Sequence, residues 1–232
     1  MLAAYAIAAT SSCTFIRVPD MKTSEGSRSE RVLASNNLET RTFDVPQFIG
    51  IDTSVPADIN YKMTDGEPAI TVTASDNILE KLKFDVEDGI LKVYFEDGGQ
   101  RINVGSKGIK INASSSTLER LVIRGAGDFD ADYLKCPGFN VEVSGAGDIT
   151  LGTVICEGDL SIAVRGAGDI DVNGLECQTV KVDVAGAGDV VLTGKAGSAD
   201  LSIRGAGDID ARRLDCSDIT SNVSGMGSIR RK

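Results

Sequence analysis

Aspartate recurs at one position of a repeated motif and is the most regular set of chemically capable side chains in this sequence. Between Gly125 and Gly227 the chain reads Gly-x-Gly-[Asp/Ser] six times, at intervals of 19–21 residues. Five motifs end in Asp; three of these five carry another Asp two residues later and follow an Arg. The residues are Asp128, Asp148, Asp169, Asp189 and Asp208; Asp130, Asp171 and Asp210; and Arg124, Arg165 and Arg204. Rows of carboxylates can bind Ca²⁺, accept backbone hydrogen bonds or pair with arginine.

We interpret the Asp column as turn chemistry within a stacked repeat. Coils of a β-helix stack at about 4.8 Å, where two like charges repel by about 1 kcal/mol even in water. We therefore expect each carboxylate to accept backbone N–H bonds in an Asx-type turn, with partial pairing to the nearby Arg. Calcium held by paired Asp and carbonyl oxygens is the alternative. It has less support because the Gly-Gly-x-Gly-x-Asp repeat of calcium-binding β-rolls is absent. No other cofactor is expected.

The Arg and the second Asp occur only in alternate units, so this decoration repeats every two coils, about 40 residues. The intervening units carry Ser144 or Ala185 before the turn and Thr150 or Val191 after it. Alternation holds the second Asp column about 10 Å apart, near the Debye length, where repulsion is weak. We expect any ligand of this surface to follow the two-coil period.

A second column consists of cysteines, each eleven residues after the first glycine of its unit. Its members are Cys136, Cys156, Cys177 and Cys216. We expect small buried thiols that pack as apolar side chains. By stacking distance alone, Cys156 could instead form a disulfide with Cys136 or with Cys177. A metal site is disfavoured because a straight row cannot surround an ion tetrahedrally and the chain has no His.

Apolar residues alternate around each motif and predict three short strands per unit. They precede the first glycine by six, four and two residues and follow it by four, six, nine and eleven. The column two residues before that glycine reads Ile123, Val143, Val164, Val184, Ile203 and Val223. This pattern predicts an all-β fold, a right-handed parallel β-helix of about six coils over residues 105–232. Residues 105–111 reproduce part of it and are interpreted as a degenerate first coil.

The glycines themselves are interpreted as corners, where positive φ or a close backbone approach excludes a Cβ. A phosphate-binding loop is the alternative interpretation. Such a loop is normally single and opens a helix. This motif occurs six times and precedes a strand pattern, which favours corners.

Residues 41–104 are predicted to form a β-rich, mainly antiparallel region that caps the β-helix. Residues 84–95 indicate a hairpin around Asp88-Gly89. One helical turn is predicted at Ile78, Leu79 and Leu82, with Asp76 or Asn77 as its cap. Residues 14–40 are rich in Ser, Asn and charge and are predicted to be a flexible tether.

Residues 1–13 are interpreted as a signal segment that ends in a lipobox. An apolar run is followed by Thr10-Ser11-Ser12 and Cys13, although no Lys or Arg precedes the run. The alternative is an ordinary frayed N-terminus. We expect export, a lipid on Cys13 and a place in the outer membrane or on the cell surface.

Composition narrows the function classes. The chain has no His, no Trp and 5% aromatic residues, so the commonest catalytic base and most sugar-stacking platforms are missing. A net charge of −10 disfavours nucleic acid and anionic lipid as partners. Contact with a membrane is expected only through the lipid anchor.

The repeated Gly-Ala-Gly-Asp-Ile resembles the head domain of autotransporter adhesins, the head GIN family common in Bacteroidetes lipoproteins. The same resemblance extends over about residues 41–228 and includes residues 48–51 and 88–93. It implies a surface adhesion module and supplies no catalytic or binding residues. Met226 and Ser228 depart from the motif and mark the last coil as terminal.

Our leading hypothesis is a non-enzymatic cell-envelope lipoprotein that binds a protein or glycan at the cell surface. One alternative is a calcium-dependent enzyme that acts on acidic polysaccharide, because parallel β-helices also carry lyases. The other alternative is a purely structural envelope protein.

Overall fold

The computed structural model describes residues 31–96 and 101–232. The signal and lipobox segment with Cys13, and most of the predicted tether, lie outside the described residues. The first half contains the elements β1 (Arg31–Leu33), β2 (Leu38–Asp44), β3 (Gly50–Thr53), β4 (Asp58–Met63), β5 (Ala69–Ser75), α1 (Asp76–Leu79), β6 (Leu82–Glu87), β7 (Ile90–Phe95), β8 (Arg101–Asn103) and β9 (Lys110–Ser115).

The second half is a parallel β-solenoid, as the repeat predicts. Its strands are β10 (Arg120–Ile123), β11 (Phe129–Cys136), β12 (Phe139–Val143), β13 (Ile149–Cys156), β14 (Asp159–Val164), β15 (Ile170–Val184), β16 (Val190–Ile203), β17 (Ile209–Asp215), β18 (Asp218–Val223) and β19 (Ile229–Arg231). Each strand pairs in parallel with the equivalent segment one repeat later, as Leu121 does with Val141 and Ile149 with Ile170. The apolar columns therefore stack into one continuous core of about six coils.

The Gly-x-Gly corner interrupts the strands of every regular coil, and a second short break separates β11 from β12, β13 from β14 and β17 from β18. The predicted division into three strands per coil is wrong: these coils have two strands, and β15 and β16 run through both remaining corners for 15 and 14 residues. At such a corner the alternation of inward and outward residues is broken by two consecutive outward residues, as Asp132 and Tyr133 show in β11. Backbone pairing to the neighbouring coil thus continues where the chain bends.

The coil before Gly125 is built by the N-terminal region. Strand β3 pairs in parallel with β10, and β4 pairs in parallel with β11. Residues 105–111 were expected to form this coil, and that expectation is wrong. Strand β9, which begins within them at Lys110, instead pairs with the far side of β4, one strand further from the repeats.

Antiparallel strands then cover this end of the solenoid, as predicted. Strand β5 pairs antiparallel with β9 and with β2, and the β6–β7 hairpin joins the stack because β7 pairs with β3. Covering the edge removes unpaired backbone groups that would template aggregation. Strands β1 and β8 form a separate parallel pair. Both β1 and β2 begin inside the segment predicted to be a tether, so residues 31–33 and 38–40 of that segment are strands.

The two local predictions for the cap have different outcomes. The hairpin is confirmed, with Asp88 and Gly89 at φ of +52° and +74°, the left-handed values that a tight turn requires. The helical turn is present as α1 and contains Ile78 and Leu79, but Leu82 begins β6, and the predicted N-cap residue is wrong. Ser75 is the N-cap residue and makes no side-chain capping bond, while Asp76 already lies within the helix. Within the described ranges, no helix is long and apolar enough to cross a membrane.

Candidate functional site: the repeat corner and the adjoining groove

Close contact between coils explains why the corners are glycine. A Cβ placed on Gly145 would lie 1.7 Å from the carbonyl oxygen of Gly125, and one on Gly168 would lie 2.0 Å from that of Gly147. None of the six Gly-x-Gly corners has a glycine at positive φ. The interpretation as corners is therefore supported by close approach and not by left-handed backbone.

The aspartates of the corner form a hydrogen-bonded column that we call the Asp ladder: Asp58, Asp128, Asp148, Asp169, Asp189 and Asp208. In each step the backbone N–H of one Asp donates to Oδ1 of the Asp on the preceding coil. The N···O distances fall from 3.4 Å at the Asp128–Asp58 step through 3.1, 2.9 and 2.8 Å to 2.7 Å at the Asp208–Asp189 step. The carboxylates thus accept backbone N–H groups, as expected, but from the next coil and not from an Asx turn of their own.

The C-terminal end of the ladder is closed by polar residues. Ser228 donates to Oδ1 of Asp208 from its backbone N–H at 2.7 Å and from its hydroxyl at 3.0 Å. Arg230 pairs with the other carboxylate oxygen at 2.9 Å. These hydrogen bonds, chiefly that of the Ser228 backbone, and the nearby guanidinium lower the pKa of Asp208. The replacement of Asp by Ser in the last motif thus completes the column without adding another carboxylate.

The three corner arginines pair away from the ladder, which corrects the expectation that they would offset it. Their partners lie on the strand that precedes the corner of the previous coil: Arg124 with Asp52, Arg165 with Glu142 and Arg204 with Asp183. Acidic residues occupy this position in alternate coils, so each Arg follows a coil that carries its partner. The two-coil period of the sequence is therefore a pattern of ion pairs between neighbouring coils.

The second aspartate column has no common role. Asp210 forms an ion pair with Arg212, whose hydrogen bonds lower the pKa of that carboxyl to about 2. Asp171 lies between Thr150 and Val191 in the register of the strands. Asp130 faces the groove described below. Across residues 31–96 and 101–232, no group of three or more Cys, Asp or Glu side chains is placed to hold a metal ion.

The cysteine column is partly buried and contains free thiols. Cys136 and Cys156 are 3% and 4% exposed, and their sulfur atoms lie 3.6 Å apart. The neighbouring Cys136 thiol and, after it, burial raise the pKa of Cys156, and burial raises the pKa of Cys177 to about 11. Cys177 and Cys216 are half-buried. Ala196 pairs with Cys177 and fills the missing position of the column, where equal spacing placed Gly197.

An open groove of about 680 Å³ lies where the regular coils meet the cap. Its floor is the outward face of β4, β5, β9 and β11, and its lining includes Asn60, Asn112, Asp130 and Tyr133. Tyr133 is 45% exposed and stands at the corner of β11. Sequence analysis identified Asp130 only as a member of a repeat column and did not identify the other three.

A family model described as putative auto-transporter adhesin, head GIN domain, matches residues 47–231. The chain belongs to this family. No curated protein matches the sequence. Family membership confirms the resemblance seen in the repeated motif and the hairpin.

Solved structures share the fold of this head GIN domain. A putative adhesin from Parabacteroides merdae has a TM-score of 0.78 at 23% identity, with 87% of this chain and 84% of that chain covered. A putative adhesin from Bacteroides fragilis has a TM-score of 0.71 at 23% identity, with coverage of 87% and 100%. A putative lipid binding protein from Parabacteroides distasonis has a TM-score of 0.53 at 22% identity, with coverage of 88% and 100%.

The ladder residue that sequence reasoning missed is Asp58, because it lies outside the repeats of the head GIN domain. It follows Ser54-Val55-Pro56-Ala57, which has no glycine. The backbone of Val55 and Ala57 nevertheless packs directly against the first repeat corner. A Cβ on Gly127 would lie 1.8 Å from the carbonyl oxygen of Ala57. The spacing of about 70 residues between Asp58 and Asp128 hides the match from a search with a 20-residue period.

Proposed function

We propose that this protein is a non-enzymatic, exported cell-envelope lipoprotein whose solenoid is an adhesin-like binding module for a protein or glycan at the cell surface. The observation that carries the proposal is the family match across residues 47–231. The geometry supports it, because the corner carboxylates and arginines are engaged in contacts between coils. These contacts give the module a rigid, uniform surface of the kind that solenoids use for binding.

The lipoprotein part of the proposal depends on Cys13. Growth with radiolabelled palmitate should label the full chain, and Cys13→Ala should abolish the label and release the protein from the membrane fraction. Cys216→Ala is the matched control and should label normally. Equal labelling of the Cys13→Ala chain would overturn lipidation and leave the binding module untouched.

The binding part is tested with the Cys13→Ala chain coupled to beads. We expect the beads to adhere to at least one member of a panel of purified matrix proteins and immobilised glycans. Beads carrying the same chain after thermal unfolding are the control. Adherence to no member would favour a structural envelope role.

The polysaccharide-acting enzyme is tested directly. Calcium should not shift the thermal midpoint relative to chelator, because Oδ1 of each ladder Asp from Asp58 to Asp208 already accepts a hydrogen bond from the next coil. Incubation with a polyuronate panel should release no unsaturated sugars. A calcium-dependent rise in the midpoint together with such products would replace the binding proposal with an enzymatic one.

A further inference from the structure

We propose that the groove between the cap and the first repeat coil binds a neutral oligosaccharide. The inference rests on the proposed binding function and assigns it a site and a ligand class. It is carried by a row of planar polar side chains, an exposed aromatic ring and the local charge.

The polar row crosses four strands at one level of the sheet. Asp130 pairs in register with Asn60, Asn60 with Asn112, and Asn112 with Thr71. Neighbouring strands lie about 4.8 Å apart, so the row extends for about 14 Å over three steps. Asn60, Asn112 and Asp130 are exposed, and within the described residues their side chains make no hydrogen bond to protein.

This row offers what a sugar hydroxyl requires. Each Asn amide presents donors and an acceptor in one plane, and the Asp carboxylate presents acceptors. A hydroxyl is both donor and acceptor, so adjacent hydroxyls on one ring can bond to both kinds of group. The strands that carry these side chains are paired on both sides, so the backbone spacing of the row is fixed before a ligand arrives.

Tyr133 supplies an apolar face beside the row. It is 45% exposed and lines the groove. Its register partner on the next coil is Thr153, so the aromatic ring is not repeated at the equivalent position of that coil. A tyrosine combines an apolar ring with a polar tip and loses little entropy when it binds. The groove volume of about 680 Å³ is within the usual range for small-molecule sites.

Charge selects a neutral ligand. Among the described residues that line the groove, Asp130 and Asp132 are acidic and Lys62 is basic. An acidic glycan would meet two like charges against one opposite charge, on a protein with a net charge of −10. Uronates and sulfated sugars are therefore disfavoured.

Backbone pairing argues against an extended peptide as the occupant. Peptides that add to a sheet need a strand with an open edge. In the floor of the groove, β4 lies between β9 and β11, and β5 lies between β2 and β9. All hydrogen bonding to a ligand must come from side chains, which suits a polyhydroxylated ring.

The test uses the full chain with Cys13→Ala and an immobilised panel of neutral, amino and acidic trisaccharides. We expect binding to at least one neutral member. Tyr133→Ala, and separately the double variant Asn60→Ala/Asn112→Ala, should weaken it by roughly tenfold or more. The control is the double variant Thr150→Ala/Thr153→Ala, which changes the positions that pair with Asp130 and Tyr133 on the next coil. It should leave the dissociation constant within about twofold of wild type, whereas a tenfold change corresponds to about 1.4 kcal/mol. Denaturant midpoints establish that each variant is folded.

Three results would overturn the inference and separate it from the proposed function. Undiminished binding by folded Tyr133 and Asn variants would place the glycan elsewhere on the module. Preference for the acidic trisaccharides would contradict the charge argument. Failure to bind any neutral trisaccharide, with continued adherence to a matrix protein, would remove the sugar site and leave the adhesin.

Discussion

The backbone N–H of Asp169 donates to Oδ1 of Asp148 at 2.9 Å, from one coil to the next. This bond places each negative side chain against a backbone dipole of the neighbouring coil. The row of like charges is therefore compatible with stacking, because each carboxylate makes a charge-assisted hydrogen bond of the stronger class.

The ladder predicts an asymmetry between two substitutions at Asp148. Asp148→Ala should lower the free energy of unfolding by about 1–3 kcal/mol, because the N–H of Asp169 loses its acceptor. Asp148→Asn keeps Oδ1 and removes a like charge, so it should cost less than half as much. Urea unfolding measures both. Equal losses for Ala and Asn would show that charge, and not the hydrogen bond, is what the position requires.

The corner glycines predict a steric cost that depends on the neighbouring coil. Gly168→Ala should destabilise the fold by about 1–3 kcal/mol or more, because its Cβ would lie 2.0 Å from a backbone carbonyl that cannot move aside alone. Gly66→Ala is the control. Its nearest neighbour would be the Thr64 hydroxyl at 3.4 Å, so it should change stability by less than about 0.5 kcal/mol. A tolerated Gly168→Ala would contradict the close approach of the coils.

The ion pairs between coils predict specific coupling. In a double-mutant cycle, Arg204 and Asp183 should couple by about 0.2–1 kcal/mol, since the arginine is largely exposed and solvent weakens the pair. Arg204 and the ladder residue Asp189 should show no coupling. Oδ1 of Asp183 is buried without a hydrogen bond among the described residues. Arg204→Ala would leave this carboxylate charged and without its ion-pair partner, so it should lower the free energy of unfolding more than Asp183→Asn, which removes the charge. Coupling to Asp189 in place of Asp183 would show that the arginine interacts with the Asp ladder.

Burial of Cys177 predicts a loss of stability in alkali. The ordinary thiol pKa is about 8.5, and burial raises that of Cys177 to about 11 in the folded protein. The folded state therefore keeps its proton where the unfolded chain has lost it. This contribution to stability is complete below about pH 8.5 and is lost as the pH rises through about 11.

The free energy of unfolding of the wild type and of Cys177→Ala, measured from pH 8 to pH 11, checks this prediction. The wild type should lose more stability than the variant over that range. In the same samples at pH 8, a thiol reagent should spare Cys136 and Cys156 until the protein unfolds, because both are buried. Parallel pH profiles would exclude a raised Cys177 pKa, and rapid labelling of Cys136 would contradict its burial.

Repetition is the reason that so much of the fold could be predicted. A side chain that alternates in one coil meets its equivalent in the next, so the core columns and the glycine corners follow from spacing alone. The cysteine column was predicted for the same reason, although the position between Cys177 and Cys216 shifted by one residue to Ala196. The 19-residue spacing of that unit accounts for the shift.

Non-local pairing is the reason that the groove could not be predicted. Asn60, Asn112 and Asp130 come from three segments without a common period. Asp130 belongs to a repeat column, but each Asn looks like an ordinary exposed polar residue in its own strand. They form one row because β9 pairs with β4 and β4 pairs with β11. The partners of the corner arginines were missed similarly, since Arg124 reaches Asp52, 72 residues earlier.

The repeated motif alone predicts the architecture of the repeats: which residues face inward, where the chain turns and where Asp is placed. Those features depend on a local period that each coil imposes on the next. The folded chain adds the contacts of the carboxylates and arginines, the entry of residues 50–63 into the stack, and the groove in the otherwise uniform surface. These depend on strand pairings between distant segments, which the order of residues along the chain does not display.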